Sequence, residues 1–376
     1  MVEPLQPGST IGIIGGGQLG RMMGIAAKQM GFRIAVLDPT PNSPTAQIAD
    51  IEIIGKYKDQ EAAEQLLEAS DVITYEFENI DYEVCQMLEN KGHVPQGSEL
   101  IRITQDRAFE KRAIERSGAQ VVSYELVYSL NELKQSTQSI GFPCVLKTRR
   151  GGYDGKGQII IREEADLLEA TEILDQGPCI LEQFLSFDKE LSVIVTRSVN
   201  GEVTTFPVAE NIHQVHILLQ SIVPARVVPV LQEKALELAQ QLAESMKMVG
   251  TLGVEMFMTE AGELYINEVA PRPHNSGHYT LDGCSTSQFE QHIRAITGWK
   301  LASTDNREAV VMMNVLGEHL EETISQIPEV QNAKLHLYGK DGVKPKRKMG
   351  HVNFLGKSTK ELLNQINELT IWRQKS

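Results

Sequence analysis

The chain has no apolar run approaching the roughly 20 residues that a membrane-spanning helix needs, and this excludes a helical membrane protein. Cysteine is scarce: Cys85, Cys144, Cys179 and Cys284 are far apart and form no Cys-x-x-Cys pair. That spacing excludes a zinc ribbon and a disulfide framework, and it suits a reducing compartment. Base is in deficit, with 36 Lys and Arg against 50 Asp and Glu and a formal net charge of -14. Nucleic acid is therefore not an expected partner, although a locally basic cleft still suits a small anion. The first residues, Met-Val-Glu-Pro-Leu-Gln-Pro-Gly-Ser, lack both a basic and an apolar segment, so no signal peptide is expected. Internal repeats, a Walker A sequence and the His-Arg-Asp and Asp-Phe-Gly pair of protein kinases are missing too. The expectation is a cytoplasmic protein of two or three domains, at 376 residues.

What is present begins with alternating strand and helix patterns over residues 1 to 105. Apolar runs at 10–14, 33–37, 51–54 and 71–75 read as buried strands, with a helix at 60–69 between the last two. This βαβ order predicts a parallel sheet. The turn after the first strand fits Gly-x-Gly-x-x-Gly at 15–20, and Asp38 ends the second strand. Such a turn serves a dinucleotide, a single phosphate or structure alone. Beyond residue 105 the pattern changes. Helices are expected at 106–117, 129–140, 163–174 and 230–249. Strands are expected at 121–127, 179–185, 190–195, 203–207 and 217–223. A smaller C-terminal unit, 297–376, has strands at 309–316, 333–338 and 351–355, a basic loop at 340–348 and a helix at 359–369. The reading is α/β followed by α+β, with units at 1–105, 106–296 and 297–376.

Two stretches carry chemistry. Residues 147–157, Lys-Thr-Arg-Arg-Gly-Gly-Tyr-Asp-Gly-Lys-Gly, lie between two strand patterns and read as a glycine-rich hairpin tip. Backbone without Cβ atoms can turn its N–H groups toward an anion, and the lysines add charge for phosphate oxygens. A solvated flexible tip has the same composition. Residues 253–272 read as two strands about a turn centred on Ala261 and Gly262. That turn places Glu255 opposite Glu268 on one face. Facing carboxylates repel unless a cation bridges them, and oxygen ligands suit Mg²⁺. An exposed hairpin with ordinary surface acids is the alternative.

The order Lys147, glycine-rich loop, Glu182-Gln-Phe-Leu, Glu190, Glu255, Asn267-Glu268, Arg272 resembles the ATP-grasp carboxylate–amine ligases. Within that superfamily four segments resemble the family of N5-carboxyaminoimidazole ribonucleotide synthases of purine biosynthesis. They are Gly-Gly-Gly-Gln-Leu-Gly-Arg-Met at 15–22, Tyr-Glu-Phe-Glu-Asn at 75–79, Gly-Gly-Tyr-Asp-Gly-Lys-Gly-Gln at 151–158 and Ala-Pro-Arg-Pro-His-Asn-Ser-Gly-His at 270–278. The resemblance implies an ATP-grasp fold behind a Rossmann-like N-terminal domain, with a lid subdomain at about 118–185 and a C-terminal domain completing the core.

For ATP it implies Arg107 and Lys147 on the phosphates, and Gly152, Tyr153, Asp154, Gly155, Lys156, Gly157 and Gln158 as the lid loop. Glu182, Gln183, Phe184 and Leu185 would meet adenine through their backbone, Glu190 would accept the ribose hydroxyls, and His213 would also touch nucleotide. Glu255 and Glu268 would hold Mg²⁺, with Asn267 beside them. Arg272, His274 and Asn275 would act on bicarbonate with Lys147. Gln18, Leu19, Glu76, Asp154, Arg272, His274, Asn275, Ser276, Lys340 and Arg347 would line the site of 5-aminoimidazole ribonucleotide. The implied reaction is ATP-dependent carboxylation of that ribonucleotide by bicarbonate through carboxyphosphate, without biotin. A homodimer and a downstream mutase as user of the product complete the expectation. The alternatives are a formate-using glycinamide ribonucleotide transformylase of the same superfamily, an NAD-dependent dehydrogenase using 15–20 and Asp38, and a regulatory nucleotide-binding module.

Overall fold

The computed structural model describes residues 3–152 and 156–373. Ile11, Ile13 and Ile14 are buried to within 1%. A β-branched apolar run without alternation is what a strand covered on both faces requires. That strand, β1 (Thr10–Ile14), lies in a parallel sheet with β2 (Arg33–Asp38), β3 (Ile51–Ile54) and β4 (Val72–Tyr75), in the order β3-β2-β1-β4. The crossovers include helices Gln18–Gln29 and Gln60–Glu68, the second capped by Asp59, which accepts from the N–H groups of Glu61 and Ala62. All four strands stand where the apolar runs place them. Two further helices, Tyr82–Lys91 and Ser98–Thr104, follow without a strong periodic signal.

A second, antiparallel sheet contains β5 (Tyr124–Val127), β6 (Cys144–Thr148), β7 (Gln158–Ile161) and β8 (Cys179–Gln183), ordered β5-β8-β6-β7. The glycine-rich stretch joins β6 to β7, with Lys147 opposite Gln158 and the Thr148 N–H donating to Gly157 O at 2.8 Å. Helix Leu130–Ile140, capped by Ser129, runs beside it. The single helix expected over 163–174 is instead a 3₁₀ turn, Glu164–Leu167, and a short helix, Thr171–Leu174. Asp166 and Glu163 form a capping box that starts the 3₁₀ turn, with the Asp166 carboxylate accepting from the N–H groups of Arg162 and Glu163 at 2.7 and 3.2 Å.

The third sheet has nine strands: β9 (Lys189–Arg197), β10 (Val203–Thr205), β11 (Ala209–Gln214), β12 (Ile217–Val223), β13 (Gly250–Met258), β14 (Leu264–Ala270), β15 (Ala309–Leu316), β16 (Ala333–Leu337) and β17 (Lys348–Gly356). Its order is β14-β13-β9-β11-β12-β15-β17-β16, with β10 on β9. The C-terminal strands therefore extend the central sheet: β15 pairs with β12 from Gln220 opposite Met313 to Val223 opposite Val310. Strand β11 carries little apolar signal, yet it lies between β9 and β12, and its buried Glu210 is paired with Lys189 and Arg226.

Helix Pro229–Ser245 packs Ala235, Ala239, Leu242 and Ala243 against Val193, Val195, Leu252 and Val254. Helix Gln288–Thr297 turns Phe289, Ile293 and Ile296 toward Met22 and Met23, so one apolar cluster joins the parallel sheet to the central one. A polar chain holds the C-terminal loop there too: Arg21 donates to Gln47 at 2.9 Å, and Gln47 donates to Gly339 O at 2.8 Å. Leu252 is fully buried at the centre of this arrangement. Leu252→Ala should cost about 2–5 kcal/mol of stability, read as a lower urea midpoint with an unchanged slope. A shift equivalent to less than about 1 kcal/mol would mean the site collapses around the cavity.

Candidate active site

Strand β14 continues β13 through a tight connection, and the connection differs from the expected one. The turn spans Thr259 to Glu263, with the Thr259 N–H donating to Glu263 O at 3.0 Å and the Gly262 N–H donating to Thr259 O at 2.9 Å. Met258 therefore faces Leu264, one residue out of the expected register. A bulge then shifts the ladder between Glu255 and Met256, with Asn267 as the extra residue on β14, and Glu255 lands opposite Glu268 after all.

Each of these carboxylates has a nitrogen-bearing side chain beside it. His274 Nε2 lies 3.0 Å from Glu255 Oε1, and an Arg107 guanidinium nitrogen lies 3.4 Å from Glu268 Oε2. Burial alone pushes the Glu255 carboxyl up, but the His274 hydrogen bond, with the charges of His274, His213 and Lys348, outweighs it and holds the group well below the usual carboxylate range. The His274 ring rests on Gly253, where a Cβ would come within 2.6 Å of His274 Cβ. Its Nδ1 is 2.8 Å from Ser276 Oγ, which accepts from Ser192 Oγ at 2.8 Å. Ser276 is fully buried, and its hydroxyl fixes the His274 ring from behind. Asn275 is 9% exposed, and neither end of its amide has a protein partner. A buried amide left that way fits a ligand. Arg272 grips Glu78 in a fork of 2.7 and 3.3 Å. Burial pushes Glu78 up, but the Arg272 charge outweighs it and holds the carboxyl below its ordinary value.

On the hairpin side, Lys147 Nζ lies 2.7 Å from Glu182 Oε2. Burial, with the positive charges of Arg107 and Lys111, holds Lys147 below its ordinary value despite that partner. Gly152 and Gly157 close the base of the loop tightly: a Cβ on Gly152 would meet Lys156 O at 2.9 Å, and one on Gly157 would meet Thr148 Oγ1 at 2.7 Å. The expected Tyr153, Asp154 and Gly155 lie outside the described residues. The Gln183 and Phe184 N–H groups already donate to Ser123 O at 2.9 Å and Pro143 O at 3.3 Å. Glu190 Oε2 is 2.6 Å from His213 Nδ1, which the β11 bulge at Ile212/His213 swings into place. Phe257, opposite Glu190 in the ladder, stacks on Phe187 at 4.5 Å; this apolar wall has no sequence motif to announce it.

The N-terminal turn is occupied from within. The Gly16 N–H donates to Asp38 Oδ2 at 2.7 Å, and Tyr57 Oη donates to the same oxygen at 2.5 Å. The Gly17 and Gly20 N–H groups donate to the two oxygens of Glu76. These carboxylates take the groups a dinucleotide pyrophosphate would need, which removes the dehydrogenase alternative. Glu76 is 8% exposed and serves first as a helix cap, and burial pushes it up. Leu19, 7% exposed, belongs to the apolar core, so its expected contact is left to its N–H in the first helical turn, beside that of Gln18. Lys340 and Arg347 lie together on the basic loop, and burial beside Arg347 brings Lys340 down to about 8 while Glu76 opposes. Glu76 also feels Arg272, so the N-terminal turn, the basic loop and the end of β14 converge.

Glu110 is a residue that sequence reasoning missed. It is 3% exposed, it accepts from the Val269 N–H at 2.8 Å, and burial beside Glu268 pushes its carboxyl up to about 8. Between its ordinary value of 4.5 and about 8 the folded state holds a proton that the unfolded state has lost, so this group lowers stability as pH rises. Glu110→Gln keeps the acceptor and removes the titration. Its thermal midpoint relative to the unaltered chain should rise steadily from about pH 5 to about pH 8; a difference independent of pH would overturn the assignment.

Three family models match the chain: a ribonucleotide synthetase preATP-grasp domain over residues 8–105, an ATP-grasp domain over 112–289 and a phosphoribosylaminoimidazole carboxylase C-terminal domain over 310–365. The chain is 55% identical over 363 residues to the N5-carboxyaminoimidazole ribonucleotide synthase of Bacillus subtilis, covering 96% of this chain and 95% of that protein. A crystal structure of an N5-carboxyaminoimidazole ribonucleotide synthetase as its ADP complex superposes with a TM-score of 0.97 at 55% identity, covering 99% of both chains. An Aspergillus clavatus N5-carboxyaminoimidazole synthase in complex with ADP and 5-aminoimidazole ribonucleotide gives a TM-score of 0.90 at 31% identity, covering 97% of this chain and 98% of that one. The chain belongs to the N5-carboxyaminoimidazole ribonucleotide synthase family of the ATP-grasp superfamily.

Proposed function

We propose that this chain carboxylates 5-aminoimidazole ribonucleotide with bicarbonate, converting ATP to ADP and phosphate and yielding N5-carboxyaminoimidazole ribonucleotide for purine synthesis. The observation that carries the reading is the opposed pair Glu255 and Glu268 at the end of β13 and β14, from which Arg272, His274 and Asn275 follow directly. Lys147 and Arg107 neutralise the ATP phosphates, Glu190 with His213 meets the ribose, and the 152–158 loop, on a lid at about 118–185, covers the triphosphate. Glu255 and Glu268, both oxygen donors, would hold Mg²⁺. When bound, that ion supplies charge neutralisation to the transferring phosphoryl group.

A bicarbonate oxygen attacks the γ-phosphorus, the bond to the ADP oxygen breaks, and carboxyphosphate forms. Its breakdown gives CO₂ and phosphate, the 5-amino nitrogen bonds to the carbon, and the amine proton passes to phosphate. Arg272, held flat by Glu78, and the unpartnered Asn275 amide present donors where bicarbonate charge builds. His274 is locked by Glu255 on one side and Ser276 on the other, so its ring is preorganised. Lys340 and Arg347 grip the ribonucleotide phosphate, and Glu76 with the first turn of helix Gln18–Gln29 borders the same pocket. Water exclusion by the closed lid protects the labile intermediate. A homodimer in the cytoplasm, handing its product to a mutase, belongs to the same reading.

ADP release should require 5-aminoimidazole ribonucleotide with bicarbonate. Release only with glycinamide ribonucleotide and formate would overturn the proposal. Glu268→Gln should lower ADP release at least about 100-fold in a chain that still unfolds cooperatively, and unchanged turnover would refute the ion-binding assignment.

A further inference from the structure

Lys111 has no task in the mechanism above. It lies on helix Arg107–Arg116, is 1% exposed, and an ammonium so deep must be paired. Its Nζ is 3.2 Å from Glu182 Oε1 and 3.4 Å from the carbonyl of Asn267, the bulged residue of β14. The other oxygen of Glu182 is 2.7 Å from Lys147 Nζ. One carboxylate, with its side chain 5% exposed, is thus clasped by two lysines from different elements: Lys147 from β6 of the lid sheet and Lys111 from outside it.

We infer that Lys111 is a positioning residue: it is the standing counter-ion of Glu182, and by holding that carboxylate it releases Lys147 to a nucleotide phosphate. The inference rests on the ATP reading. A phosphate can draw the Lys147 ammonium away only if Glu182 is not thereby left as a lone buried charge. Lys111 has the reach and burial to prevent that, because it stays clamped between Glu182 and the Asn267 carbonyl. Arg107, on the first turn of the same helix, adds a third positive charge to the group, so three cations face Glu182 and Glu268. The surplus favours an incoming anion. Without Lys111, Lys147 is the only lysine on Glu182 and the phosphate must compete for it.

ADP affinity measured by titration calorimetry separates this from a packing role. Lys111→Met should weaken ADP at least about tenfold, and Lys111→Arg should recover most of the loss. Glu182→Gln removes the charge that Lys111 serves, so Lys111→Met placed on top of Glu182→Gln should change ADP affinity by less than about twofold. That comparison holds even where Lys111→Met alone fails to fold, since the double variant carries no Glu182 charge to be left short of a partner, and the loss of that charge beside Lys147 is common to both variants compared. An affinity of Lys111→Met within about twofold of the unaltered chain would overturn the inference, as would a double variant about tenfold weaker than Glu182→Gln. An unaltered chain that binds no ADP would instead overturn the ATP reading itself, and this inference with it.

Discussion

Across β13 and β14, Glu255 stands opposite Glu268, and like charges at neighbouring ladder positions raise each other's energy unless cations stand between or beside them. Much of the surrounding structure answers that constraint. His274 reaches one carboxylate because Gly253 leaves room for its ring, and Arg107 reaches the other from the start of its helix. Ser276 and Ser192 stand behind His274, and Glu78 stands behind Arg272, so both side chains are backed by a fixed polar partner. Such backing fixes geometry before any ligand arrives, which is what charge stabilisation in a phosphoryl-transfer site requires.

The same constraint reaches into the interior. Burial first, and then the nearby Glu268 charge, push the Glu110 carboxyl up to about 8, and it accepts from the Val269 N–H. Glu182 meets the opposite fate. Burial pushes it up, but Lys147 and Lys111 outweigh that and keep it ionised. Two buried glutamates are thus pushed in opposite directions: two lysines at contact distance outweigh burial at Glu182, whereas burial and the Glu268 charge outweigh Arg107 and Lys111 at Glu110.

Much of this was legible in the chain. Strands β1, β4 and β15 are apolar runs without alternation, and burial on both faces leaves no other pattern. The opposition of Glu255 and Glu268 was also predicted, although through a turn of the wrong length whose error the Asn267 bulge cancels. Strand β11 was hidden because its polar residues are matched by partners distant in sequence, Glu210 with Lys189 and Arg226. The two acids of Tyr-Glu-Phe-Glu-Asn look alike on paper. Only the fold gives Glu76 to the helix start at Gly17 and Gly20 and Glu78 to Arg272, 194 residues away. Lys111 reads as an ordinary helix lysine, since nothing local marks it as the one that turns inward.

The strand order of the central sheet also bears on how the chain folds as it is made. The parallel sheet closes with residue 75 and the antiparallel one with residue 183, each from contiguous sequence. Strand β12 ends at 223, but its neighbour β15 begins at 309, and β17 closes the far side at 348–356. During synthesis at about 5–20 residues per second, β12 therefore presents an unpaired edge for several seconds. That interval exposes an apolar strand, Ile-Leu-Leu-Gln-Ser-Ile-Val, to any other nascent chain within reach. The last-made strands thus cover the apolar β12 edge, and they move the edge of the central sheet out to the short, more polar β16.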